Sequence, residues 1–301
     1  MRKSPLPSGR RTALVAGAVV VLAAAACRGT SGGGATSATN PGAAWRPHTP
    51  TAAQRSGGCR TVVVAAGDIV NNVSVADGTG RIAAAQHPAL VLPLGDNQYP
   101  SGAFSDYRTK YDRTSWGRLK GVSNPVPGNH EYRTSGAAGY FAYFGHPPAY
   151  YAFDAGCGWR GHALNSEIPL GPQVAWLRRD LAAHPTAAVL AYWHTPRWSS
   201  GTEHGSDPGM QPFWGALAGR TGVVLNGHEH NYERFAPVGK VREFVAGTGG
   251  SSTYPFGTPI GGSQRRIAHT PGVLRLELAP HAAYRWAFLN TADRALDTGA
   301  G

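Results

Sequence analysis

The chain has 301 residues, 42% hydrophobic and 15% charged, enough apolar material for one large domain or two small ones, which excludes disorder along its whole length. Its net charge is +11; the first 27 residues hold Arg2, Lys3, Arg10 and Arg11 and no acid, so the remainder carries +7. A basic surface steers anions such as phosphate esters, but no dense Lys/Arg run with interleaved aromatics occurs, so specific nucleic-acid binding is not expected.

Met1 to Ala26 reads as an export leader, with basic residues followed by the apolar stretch Thr12 to Ala26, which is short for a membrane span. Ala24-Ala25-Ala26-Cys27 resembles a bacterial lipobox, so the chain is expected to be exported and either cleaved after the alanines or anchored through a lipid on Cys27. Arg28 to Gly58, rich in Gly, Ala, Ser, Thr and Pro, predicts a flexible, poorly ordered tether, and the folded domain is expected over 59–301. Cys59 and Cys157 remain, either as a pair or as two free thiols.

Within the domain the recurring pattern is a short apolar run that ends in a metal-ligand type. Thr61 to Ala66 runs into Gly67-Asp68; a short helix over Thr79 to His87 leads back to the run Ala89 to Leu94, which ends in Gly95-Asp96-Asn97-Gln98-Tyr99. Together these make a βαβ unit, although Pro93 is unusual in a strand. From Ser105 onward Tyr107, Tyr111 and Trp116 fall near helical spacing, after which Val122 to Pro127 runs into Gly128-Asn129-His130-Glu131. The aromatics Tyr140, Phe141, Tyr143, Phe144 and Tyr150 to Phe153 are material for core or for a substrate-cleft wall. Gly158 to Asn165 leads to a loop. Pro172 opens a helix with Val174, Leu177 and Leu181 on one face. Ala187 to Trp193 runs into His194, and Thr221 to Leu225 into Asn226-Gly227-His228-Glu229-His230. Alternation in Val241 to Ala246, Gly272 to Leu278 and Tyr284 to Leu289 predicts late strands completing a second sheet.

In α/β folds the carboxyl ends of the strands are where ligands bind, so these five stations bring Asp68, Asp96, Tyr99, Asn129, His194, His228 and His230 towards one rim. Carboxylates buried there need partners, and a bound cation is the simplest one. Seven nitrogen and oxygen ligands are too many for one ion; with a shared carboxylate they suit two, about 3.5–4 Å apart, the arrangement that clamps both oxygens of an in-line phosphoryl transfer. Imidazole and carboxylate suit Fe, Zn or Mn, and a phenolate favours a trivalent ion such as Fe(III).

Gly67-Asp68, Gly95-Asp96-Asn97-Gln98-Tyr99, Gly128-Asn129-His130-Glu131, His194 and Gly227-His228-Glu229-His230 resemble, in order, the five motifs of calcineurin-like metallophosphoesterases. Tyr99, three residues after Asp96, picks out the purple acid phosphatase branch, and Val70 stands where most other members carry a histidine. The resemblance implies a four-layer α/β/β/α sandwich of the single-domain type. It assigns iron to Asp68, Tyr99 and His230, and Fe, Zn or Mn to Asn129, His194 and His228, with Asp96 bridging. It implies attack on a phosphate ester by a metal-bound hydroxide, with His130 and His204 as candidates for the leaving-group acid and substrate contact. His130 has a second candidate role, orienting Asn129. Where plant members have two adjacent histidines this chain has Glu203-His204. The expected activity is phosphomonoester hydrolysis; a phosphodiesterase or nucleotidase on the same scaffold is the alternative enzyme, and a metal-holding binding protein the alternative from another class. The expected partner is a small phosphate ester, with membrane contact only through the anchor.

Overall fold

A computed structural model describes residues 44–54 and 56–301. The expected leader with its lipobox, and the expected tether as far as residue 43, lie outside the described residues. The rest of that tether does not behave as one: the compact unit begins at Ala44, not Cys59. Trp45 is the reason, its ring packing edge-on to Tyr151 with centroids 4.8 Å apart, and the His48 backbone exchanges two hydrogen bonds with the Asn124 side chain at 2.8 and 2.9 Å. Helix α1 (Ser56–Cys59) ends in a disulfide from Cys59 to Cys157, so the two thiols pair. Its sequence separation of 98 closes a loop worth about 4–5 kcal/mol on the chain-entropy account.

The chain then runs β1 (Thr61–Ala66), α2 (Val73–Ala85), β2 (Leu90–Pro93), α3 (Phe104–Thr109), α4 (Ser115–Arg118), α5 (Ala138–Tyr143), β3 (Tyr151–Gly156), β4 (Trp159–Ala163), α6 (Leu170–Ala183), β5 (Ala188–Tyr192), α7 (Gln211–Leu217), β6 (Thr221–Asn226), β7 (Tyr232–Phe235), β8 (Lys240–Ala246), β9 (Ser263–Ile267), β10 (Gly272–Leu278), β11 (Tyr284–Asn290) and β12 (Ala295–Ala300). Gly158 to Asn165, read as leading to a loop, is largely strand β4. One sheet has the order β12-β11-β10-β1-β2, the other β3-β4-β5-β6-β8-β7-β9. The late strands therefore divide: β8 and β9 join the second sheet, whereas β10 to β12 extend the first, β10 pairing antiparallel with β1.

Strand alternation builds the layers. Val63, Ala65, Leu90 and Leu92 face inward with Leu190, Tyr192, Val223 and Leu225, filling the space between the sheets. Val64, Ala66 and Val91 point outward under the helices on their side, and Val189, Ala191 and Val224 under α6 and α7. Strands apolar on both faces are what a sheet covered on both sides requires. The result is the expected α/β/β/α sandwich. The aromatic cluster is core, not cleft: Tyr107 and Tyr143 stack at 4.5 Å, with Tyr111 and Phe144 edge-on to them. Pro93 is tolerated because it closes β2 at the sheet edge, where its carbonyl accepts the Val126 N–H at 3.0 Å. Val122 to Pro127 is not a regular strand; it holds parallel bridges Val91↔Ser123 and Leu94↔Val126.

Candidate metal centre

The parallel strands β1, β2, β5 and β6 end at a common rim, and the segment bridged to β2 ends there too. Three of the runs turn sharply as they deliver their side chains: Asp68, Asp96 and His228 have φ of 59°, 48° and 71°, left-handed conformations that cost a non-glycine residue energy and cluster at functional sites. The preceding glycines make room. A Cβ on Gly95 would lie 2.5 Å from His194 Nδ1, and one on Gly128 2.3 Å from an Asp96 carboxylate oxygen. The Gly-Asp and Gly-Asn pairs of the sequence are thus the means by which three loops approach within bonding distance of one another.

All seven predicted donor residues come together, in two sets. The Tyr99 hydroxyl lies 3.0 Å from Asp68 Oδ1 and 3.2 Å from His230 Nε2, and His230 Nε2 is 3.1 Å from Asp68 Oδ1. In the second set His194 Nε2 lies 3.1 Å from Asn129 Oδ1 and 3.2 Å from His228 Nδ1. Asp96 Oδ2 reaches both, 3.1 Å from the Tyr99 hydroxyl and 3.5 Å from His194 Nε2. Asp68, Asp96 and His194 each offer a ligand atom within 4.8 Å of the others'.

The electrostatics fit cations. Among the described residues the ion-pair partners of Asp68 and Asp96 are histidines, not Lys or Arg. Burial works against both carboxylates, yet His230 beside Asp68 and His194 beside Asp96 hold them below the usual range. Burial lowers and Asp96 raises the His194 imidazole, which ends at about 10. Protons on the histidines thus neutralise charge that a bound metal would take over, and metal binding would release them. His194 Nδ1 donates to Leu94 O at 2.9 Å and His230 Nδ1 to Ser252 O at 2.6 Å, which turns each Nε2 towards the donor set, the usual orientation of a ligating histidine. Burial and the two aspartates push the Tyr99 phenol well up, so only a strong Lewis acid on its oxygen would ionise it.

A cavity of about 370 Å³ opens over Asp96, Tyr99, Asn129, His228 and His230. His130 lines it; its Nδ1 faces Pro100 O at 2.7 Å and its Nε2 lies 3.8 Å from Asp96 Oδ2. The Asn129 amide oxygen faces His194, not His130. His204 is exposed at the mouth, stacked on His228 with centroids 4.0 Å apart.

Three features escaped sequence reasoning. Glu131 is fully buried and accepts hydrogen bonds from the N–H groups of Asn97, Gln98 and Gly128 and from the Tyr107 hydroxyl, tying the Asp96 and Asn129 loops together; burial pushes its carboxyl up against those donors. The loop after β8 forms a sixth station, Ser251 N–H donating to Asp68 O at 2.9 Å and Tyr254 stacking on His230 at 4.1 Å. Arg133 lies at the cavity mouth. A signal for the sixth station was present in Val245-Ala246-Gly247, another apolar run closed by glycine, but it delivers no metal-ligand type.

No family model matches the chain. Over 195 residues it is 29% identical to purple acid phosphatase 15 of Arabidopsis thaliana, a match covering 49% of this chain and 36% of that protein, so the chain spans about a third of the relative's length. Among solved structures, the purple acid phosphatase PPD1 from yellow lupin (Lupinus luteus) seeds is similar with a TM-score of 0.69 and 16% identity, over 81% of this chain and 54% of that one. A dimetal phosphatase from Danio rerio gives 0.55 at 12%, over 80% and 98%. GAP50, the anchor in the inner membrane complex of Plasmodium, gives 0.63 at 14%, over 80% and 88%. At these identities the structural likeness establishes the fold, and the lupin and Plasmodium proteins show that one fold accompanies a phosphatase and an anchor alike.

Proposed function

We propose that the chain, which shares the fold of a purple acid phosphatase and is 29% identical to another over 195 residues, is a calcineurin-like metallophosphoesterase of the purple acid phosphatase branch that hydrolyses phosphomonoesters at a centre of two metal ions. The observation that carries this reading is the convergence of seven nitrogen- and oxygen-donor residues in two sets that share Asp96. Asp68, Tyr99 and His230 would hold one ion, Fe(III) on the strength of the phenol, and Asn129, His194 and His228 the other, Fe, Zn or Mn. When bound, the two ions supply Lewis-acid activation of water and neutralise phosphate charge.

The chain's own residues then orient and protonate. Asp96 spans both positions, and the His130 N–H donates to its Oδ1 at 2.8 Å, fixing the carboxylate that both ions would share. His130, held by Pro100 O, presents its other nitrogen to the cavity, where it contacts a phosphate oxygen. His204 stands over His228 at the open side, and a proton on its ring passes to the departing alkoxide oxygen. The leader, with basic residues before a short apolar run, supports an exported or lipid-anchored enzyme. Among the described residues no helix is long and apolar enough to cross a membrane.

Elemental analysis beside steady-state hydrolysis of an alkyl phosphomonoester and a matched phosphodiester tests the proposal. Two metals per chain with kcat/KM higher for the monoester is the expected result. Preference for the diester would make the chain a phosphodiesterase, and a metal-loaded chain inactive on both would make it a binding protein.

A further inference from the structure

The segment from Thr195 to Ser206 carries an exposed histidine yet is held by three buried carboxylates, one from the loop between β6 and β7 and two from the strands β7 and β8. Glu229 Oε1 accepts the His204 N–H at 2.7 Å and also the Gly205 N–H. Glu233, on β7, accepts the Ser200 N–H at 2.7 Å on one oxygen and the Ser200 hydroxyl at 2.6 Å on the other. Glu243, on β8, accepts the Arg197 N–H at 3.1 Å. All three are at most 1% exposed. Carboxylates this deep are costly unless strongly hydrogen-bonded, and the partners named here all lie in one loop; Glu233 also accepts the Ser263 hydroxyl of β9 at 2.5 Å. Gly201 completes the seat: a Cβ there would lie 2.3 Å from Glu229 Cδ, so only glycine lets the loop descend onto the carboxylate.

We propose that Glu229 and Glu233 are positioning residues that clamp this loop so that His204 stays over the cavity, stacked on His228. The inference rests on the phosphatase reading for its catalytic half. An exposed ring on a free loop samples many positions, and an acid assists only from a near-attack geometry. The clamp removes that freedom through the backbone on either side of His204, leaving the imidazole itself unbonded and free to give its proton. The two glutamates differ in one testable respect. Both N–H donors on Glu229 share Oε1, while Oε2 has no partner, whereas Glu233 uses both oxygens.

The test compares Glu229→Ala, Glu229→Gln, Glu233→Ala and Gly201→Ala in the metal-loaded enzyme, reading amide hydrogen exchange at Ser200, His204 and Gly205, metal content, and kcat on an alkyl phosphate and an activated aryl phosphate. Gly201→Ala acts from the loop side and leaves the metal motif untouched. The three alanine variants should raise loop exchange about tenfold or more. Their kcat should fall about tenfold or more on the alkyl ester and far less on the aryl one, with two metals per chain retained. Glu229→Gln, keeping an oxygen for both N–H groups, should behave as wild type. Unchanged exchange, equal losses on both esters, or a Gln variant as poor as the Ala variant would overturn the proposal. A wild type inactive on both esters would instead overturn the phosphatase reading and His204's role, while exchange would still decide whether the clamp exists.

Discussion

Two clusters in this molecule set carboxylate against histidine, and they solve the charge differently. On the outer face of the second sheet, Asp180 of α6 takes two hydrogen bonds from Arg160 at 2.7 and 2.6 Å and a third from the buried His162 at 2.8 Å. The chain supplies its own permanent cation there. At the rim, Asp68 and Asp96 lie deeper, offer oxygens within 4.8 Å of each other, and pair with His230, His194 and His130. A histidine can give up its proton; an arginine cannot. The outer cluster is a finished ion pair, whereas the rim is arranged so that its balancing charge can be exchanged for metal.

That contrast can be broken most forcefully at Asp96. In Asp96→Asn a neutral amide replaces the one carboxylate that reaches both donor sets, so metal content should fall at both positions. With several kcal/mol of transition-state stabilisation lost, kcat/KM should drop about 10³-fold. Elemental analysis of the variant checks it; two retained metals with most activity would remove the bridging role.

His204→Ala probes the proton side of the rim without removing any of the seven donors. Turnover of an alkyl phosphate should fall about 10²-fold and that of an activated aryl phosphate much less, metal content being unchanged. Equal losses would reduce His204 to a phosphate contact.

A smaller effect sharpens the difference between the two donor sets. If Tyr99 binds Fe(III) as phenolate, the loaded enzyme should be coloured by charge transfer, and Tyr99→Phe should bleach it with iron still bound. A coloured Phe variant would contradict the ligand role, and a colourless wild type with two divalent ions would remove Fe(III) alone.

The smallest effect belongs to the finished pair. Burial opposes ionisation of Asp180, but Arg160 and His162 hold its carboxyl far below the usual range. A folded-state value below the unfolded one contributes stability in full above about pH 4 and loses it as pH falls towards the folded value. Asp180→Asn should therefore lower the thermal midpoint by about 2–4 °C at neutral pH, and the gap to wild type should close below pH 4. A gap independent of pH would mean the residue acts through packing.

The rim was legible in the sequence because each donor follows a short apolar run and a tight turn, a pattern read from residue order alone. Helix α2 was read only from Thr79, because Gly78 just before it looks like a break. In the fold Asn72 caps the helix from its first turn, accepting the Ser74 and Val75 N–H groups, and Gly80 lets it approach Trp116 of α4. The residues 44–54 were hidden by their composition, since one tryptophan among Pro, Thr and Ala outweighs the tether-like average. Glu229 and Glu233 were invisible as clamps because they hold a loop distant in sequence, largely through its backbone N–H groups, which no side-chain motif records.

The most direct measurement is metal stoichiometry of the purified chain before and after chelation, with phosphomonoester hydrolysis and thermal midpoint read on the same samples. Two ions per chain should be present, and their removal should abolish activity and lower the midpoint, since ions that bind the folded state stabilise it. Full activity and an unchanged midpoint after both ions have been removed would contradict the account.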